Sequence, residues 1–117
     1  MTFIIDSHQD LGYNILTFGR DYTRPAAETR RIEAGTPTPE RNGQTLLGWP
    51  DYQVGQAAVI FGTIFIAPRK HQNGPWDVNV FSTNQEYGSI LRRQLDAYSR
   101  MVDHNEEKFR LIRTAPD

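Results

Sequence analysis

Phe3-Ile4-Ile5-Asp6-Ser7-His8-Gln9-Asp10 decides how the rest of the chain is read. It opens on consecutive apolar positions, not alternating ones, as expected of a strand covered on both faces in a parallel α/β sheet. The spacing predicts a strand over about Phe3 to Asp6. In extended backbone, residues i and i+2 share a side, so His8 and Asp10 leave that strand together. Imidazole nitrogen and carboxylate oxygen both suit zinc and similar divalent ions, and a catalytic centre keeps one position for water. His8 and Asp10 are therefore the candidate metal ligands. The plainer reading makes His8 a hydrogen-bonded strand-end histidine and Asp10 a cap on the turn or helix that follows.

Outward from this stretch, Leu11 to Gly55 shows no sustained strand periodicity and carries Pro25, Pro37, Pro39 and Pro50. Pro25 to Ala34 reads as a short helix, with proline in its first turn and Gly35 as its stop. A structureless loop of this length is uncommon in a small domain, so the segment is expected to be an excursion over the end of the sheet that carries His8.

A second strand is expected over Ala57 to Ala67, rich in β-branched and aromatic residues and closed by Pro68. Gly62 and Thr63 mark a bulge, a close approach or a packing accommodation within it, and neither is assigned to the site. Ser82 or Thr83 then caps a helix running to about His104, with Glu86 three residues after Thr83 as a capping box requires. Leu91, Leu95, Tyr98 and Val102 repeat at helical spacing and predict the face laid on the sheet. Phe109-Arg110-Leu111-Ile112 is the expected third strand. The order strand, helix, strand implies a parallel pair with a right-handed crossover, and ligand sites in such folds lie at the carboxyl ends of the strands.

Thirteen Lys and Arg stand against fourteen Asp and Glu among the 117 residues, so no charge field favours nucleic acid. Without cysteine, histidine and carboxylates are the strong metal donors that remain. No apolar run approaches the roughly 20 residues of a membrane-spanning helix, and no export signal precedes the first strand. The expectation is a cytoplasmic protein with neither a nucleic-acid nor a membrane partner.

Ile5-Asp6-Ser7-His8-Gln9-Asp10-Leu11 resembles the opening Asp-Gly-His-Asn-Asp-Leu pattern of the membrane dipeptidase (renal dipeptidase-like) metallopeptidases, within the amidohydrolase superfamily. Ser7 stands for the glycine and Gln9 for the asparagine. Leu47-Gly48-Trp49-Pro50-Asp51 through Val54-Gly55-Gln56-Ala57 is similar to that family's lead into its second strand, and Phe61 to Pro68 resembles the strand itself. The resemblance implies that the chain is the N-terminal part of a (β/α)₈ TIM-type barrel. It also implies that His8 and Asp10 hold one zinc of a two-zinc centre, and that the longer parent hydrolyses dipeptides or related small amides. The family's bridging glutamate, later histidines and catalytic aspartate have no counterpart before Asp117, so the chain alone is expected to be inactive. A homo-oligomer of the parent is left open.

His71, in the polar loop after the second strand, either faces the site or is solvated, and His104 falls at a helix C-terminus, where a cation is favourable. Asp6 is a hydrogen-bonding group behind His8 or at the strand end. Tyr13, Phe18, Tyr22 and Trp49 either wall a substrate site or pin the excursion to the body. Arg30, Arg31, Arg92 and Arg93 read as solvated helix faces. Two other classes stay in view: a non-enzymatic α/β interaction module, and another amidohydrolase-type hydrolase such as a phosphoesterase.

Overall fold

Isoleucine at positions 4 and 5, and the run Ala57-Ala58-Val59-Ile60-Phe61, favour extended backbone, and these two segments form the main sheet. The computed structural model describes residues 2–114. Strand β1, Ile4–Gln9, pairs in parallel with β2, Ala57–Gly62, with Ile5 opposite Val59, Asp6 opposite Ile60 and Gln9 opposite Gly62. Between the last two pairs β1 advances three residues while β2 advances two, so Ser7-His8 carries an extra residue. Such a bulge re-aims the side chains beside it. Asp6 holds it closed: its Oδ1 accepts the His8 backbone N–H at 3.0 Å and its Oδ2 accepts the Gln9 side-chain amide at 2.8 Å.

The excursion between the two strands folds into four helices: α1 (Leu11–Phe18), α2 (Ala26–Glu33), α3 (Thr38–Asn42) and α4 (Trp49–Val54). The helix expected over 25–34 forms with Pro25 just outside it. Buried Arg20 ties these pieces together. It donates to both Glu33 carboxylate oxygens at 2.8 and 3.1 Å, to Asn14 Oδ1 at 3.0 Å and to the Gly43 carbonyl at 2.8 Å. Asp51 Oδ2 accepts the N–H groups of Gly48 and Ala26, at 2.9 and 2.7 Å, joining the starts of α4 and α2. Gly48 has a steric reason, since a Cβ there would stand 1.8 Å from the Arg24 carbonyl oxygen.

The aromatic residues of the excursion pin it down. Tyr13 meets Phe65 edge-on at 5.3 Å, Phe18 meets Trp76 at 5.6 Å, and Trp49 meets Phe109 at 5.7 Å. Arg30 is anchored to the Thr45 carbonyl at 2.7 Å, so the solvated reading of that residue is corrected.

The strand expected over 57–67 stops at Gly62. Extended pairing resumes only in β3 (Ala67–Pro68), which pairs in parallel with β4 (Val80–Phe81). The long helix α5, Asn84–Asp103, explains the gap. Gln94 accepts the Phe65 N–H at 3.1 Å and donates to the Phe65 carbonyl at 2.7 Å, taking the place of a neighbouring strand. The Tyr98 hydroxyl does the same for the Thr63 carbonyl at 2.8 Å.

Helix α5 starts as expected: Thr83 Oγ1 accepts the Glu86 N–H at 3.2 Å, and the Glu86 carboxylate accepts the Thr83 N–H at 3.1 Å. Its buried stripe is Ile90, Gln94 and Ala97; of the expected Leu91, Leu95, Tyr98 and Val102, Tyr98 does lie on the sheet, whereas Leu95 is exposed. One residue of offset turns a helix by about 100°, and a buried, fully bonded glutamine is invisible to an apolar pattern.

The expected third strand over 109–112 does not form. The Phe109 N–H donates to the Asn105 carbonyl at 2.9 Å in a turn beyond α5, and its ring lies on Trp49. Among the described residues, the helix therefore does not link two strands. The fold is an α/β arrangement of two small parallel sheets flanked by helices. Among the described residues, no helix is long and apolar enough to cross a membrane.

Candidate metal centre

His8 and Asp10 emerge at the carboxyl end of β1, where the bulge at Ser7-His8 and the start of α1 turn the chain. His8 Nε2 lies 3.5 Å from Asp10 Oδ2, with side-chain exposures of 68% and 33%. Two ligands on a tetrahedral zinc with bonds of about 2.0–2.1 Å stand roughly 3.4 Å apart. The observed separation is that of a ligand pair as well as that of a loose ion pair.

Asp10 occupies the N-cap position of α1 but its side chain makes no capping bond. Only its backbone carbonyl serves the helix, accepting the Asn14 backbone N–H at 3.1 Å and also the Asn14 side-chain amide at 2.8 Å. The carboxylate turns instead to the residue just past β2, where Oδ1 accepts the Thr63 hydroxyl at 2.5 Å. The plainer reading of Asp10 as a helix cap is thus met in position and not in chemistry. Among the described residues, no group of three or more His, Cys, Asp or Glu is placed to hold a metal ion, so this pair supplies two donors only.

A cleft of about 300 Å³ opens over the pair. Beyond β1 its walls come from the excursion, among them Asn14, Arg20, Tyr22, Asn42, Gln44 and Leu46, with the Asn42 side-chain amide donating to Asn14 Oδ1 at 2.6 Å. Arg20 is neutralised by Glu33, and burial is the main reason the Tyr22 phenol is pushed up to about 12. Tyr52 donates to Gln9 Oε1 at 2.5 Å, and burial raises it too. The Gln9 side-chain amide, with the His8 N–H, holds the Asp6 carboxyl below its ordinary 3.8. The walls are thus largely uncharged, and the charge-bearing groups gather at the β1 end.

Asp6 serves the strand end through the His8 backbone and Gln9. His71 sits in an exposed 3₁₀ turn, Arg69–His71, and does not line the cleft. His104 caps the C-terminus of α5 and is exposed. Of the excursion aromatics, Tyr22 alone reaches the cleft lining. The reading of the sequence missed Thr63, Arg20 and Asn14. Gly62-Thr63 carried a signal, an irregularity inside an apolar strand, but nothing in it pointed to Asp10. Comparison with protein-family models, curated proteins and solved structures gives no match to this chain.

Proposed function

We propose that His8 and Asp10 hold one zinc ion in the active centre of a metal-dependent hydrolase acting on dipeptides or related small amides. The observation that carries this reading is the 3.5 Å approach of His8 Nε2 to Asp10 Oδ2 at a strand's carboxyl end, with a carboxylate that declines the helix cap beside it. The parallel β1–β2 pair supports placing it at the mouth of a barrel, where loops after the strands build the site. A bound zinc lowers the pKa of its water and polarises a carbonyl. The chain's own part is to supply two donors and a largely uncharged cleft in which a small amide is held.

Catalytic zinc usually has three protein ligands, so further donors are needed beyond those described. The resemblance to the dipeptidases adds a second zinc to that centre. Zinc titration of the chain is expected to show one saturable site that is lost in His8→Ala and in Asp10→Asn. In the gene product that carries these residues, dipeptide hydrolysis is expected to fall with His8→Ala, and unchanged activity removes His8 from the mechanism. A chain that binds no zinc favours the non-enzymatic module, the reading that the two-donor set also supports.

A further inference from the structure

We propose that Thr63 is a positioning residue for Asp10, holding one carboxylate oxygen so that the other is presented, with His8, to a divalent cation. This rests on the zinc reading above and adds the device that aims the ligand. An aspartate at a helix N-cap ordinarily turns its carboxylate onto the free N–H groups of the first turn. Asp10 does not, and the group that diverts it comes from the residue just past β2: Thr63 Oγ1 donates to Oδ1.

The hydroxyl has one proton, and it is committed to Oδ1. Oδ2 is left on the side of His8 Nε2, at 3.5 Å. Metal-ligating carboxylates are commonly oriented by such a partner.

Thr63 is itself fixed on both sides. Its N–H donates to the Gln9 carbonyl at 2.9 Å, and its carbonyl accepts the Tyr98 hydroxyl at 2.8 Å. The Tyr98 ring fits there because positions 12 and 62 are glycine. A Cβ would stand 2.8 Å from the ring at Gly12 and 2.5 Å from it at Gly62. A β-branched side chain is also stiff at χ1, so the hydroxyl is held where β1 hands over to α1. The two glycines, Tyr98 and Thr63 form one support behind Asp10, built from α1, β2 and α5.

The test is a zinc titration of the complete 117-residue chain, followed by NMR of the histidine imidazoles, in wild type, Thr63→Val and Thr63→Ser. Valine keeps the shape and removes the hydroxyl, whereas serine restores the hydroxyl. Thr63→Val is expected to weaken zinc binding at His8 about tenfold or more. Thr63→Ser is expected to return it toward wild type, with His71 and His104 as unaffected internal controls. Unchanged affinity in Thr63→Val overturns the positioning role while leaving the zinc reading intact. Equal weakening in both variants, tracking a lower melting temperature, assigns Thr63 to stability alone and also overturns it. Wild type without a zinc-dependent shift at His8 overturns the zinc reading, and the role of Thr63 with it.

Discussion

Tyr13 and Tyr22 stay protonated beyond the ordinary phenol range. Burial is the main cause in both, moving each from 10.0 to about 12, and the Asp77 carboxylate adds to it at Tyr13. A phenol exposed by unfolding ionises near its ordinary value, so unfolding releases protons in this window. The stability these residues contribute is complete below pH 10 and is lost as pH rises toward 12. Urea midpoints are expected to hold steady below pH 10 and to fall above it, with a shallower fall in Tyr22→Phe. Equal slopes in the two proteins would remove Tyr22 from the effect. The approach of His8 to Asp10 was legible in the sequence because it spans only two residues at the strand's exit. Thr63 was not, because its bond to Asp10 spans 53 positions and depends on a parallel register that no local pattern encodes.

At the scale of elements, α5 separates what propensity decides from what packing decides. Its start follows from Thr83 and Glu86 alone, since a capping box is made of neighbours, and α2 follows likewise from Pro25 and its flanks. Its buried face does not, because Gln94 is wholly buried and bonded to Phe65 and Asn79 while Leu95 beside it is half exposed. The strand expected over 57–67 fails for the same reason: its apolar residues are right for a strand, yet side chains of α5 take the ladder bonds.

Replacing Gln94 by leucine leaves the Phe65 N–H and carbonyl and Asn79 Oδ1 short of partners inside the protein. Each unsatisfied buried group costs about 1–3 kcal/mol, so a loss of roughly 3 kcal/mol or more in urea denaturation is expected. Leu95→Ala should cost under about 1 kcal/mol, as an exposed position does. The reverse order would restore the face read from the apolar pattern.

The whole molecule leaves much apolar surface in contact with water. Phe3, Ile4, Ile5 and Phe61 are all more than half exposed, and they lie on or beside a sheet of only two strands. The accessible surface is 7769 Å², against roughly 6,500 Å² for a folded monomer of this mass. The radius of gyration is 15.1 Å, against about 13 Å for a domain of this length. Consecutive apolar positions in β1 implied cover on both faces, and that cover is what the described residues do not supply. A formal charge of −1 offers little repulsion between copies, and open parallel edges are templates for pairing. Sedimentation is therefore expected to show association that grows with protein concentration. Ile5→Lys and Phe61→Lys should raise the monomer fraction while changing stability by only about 0.5 kcal/mol, because both side chains are already largely in water. A wild-type chain that stays monomeric at every concentration and melts sharply would show that the exposed sheet is tolerated as it stands, the behaviour of a self-sufficient α/β module.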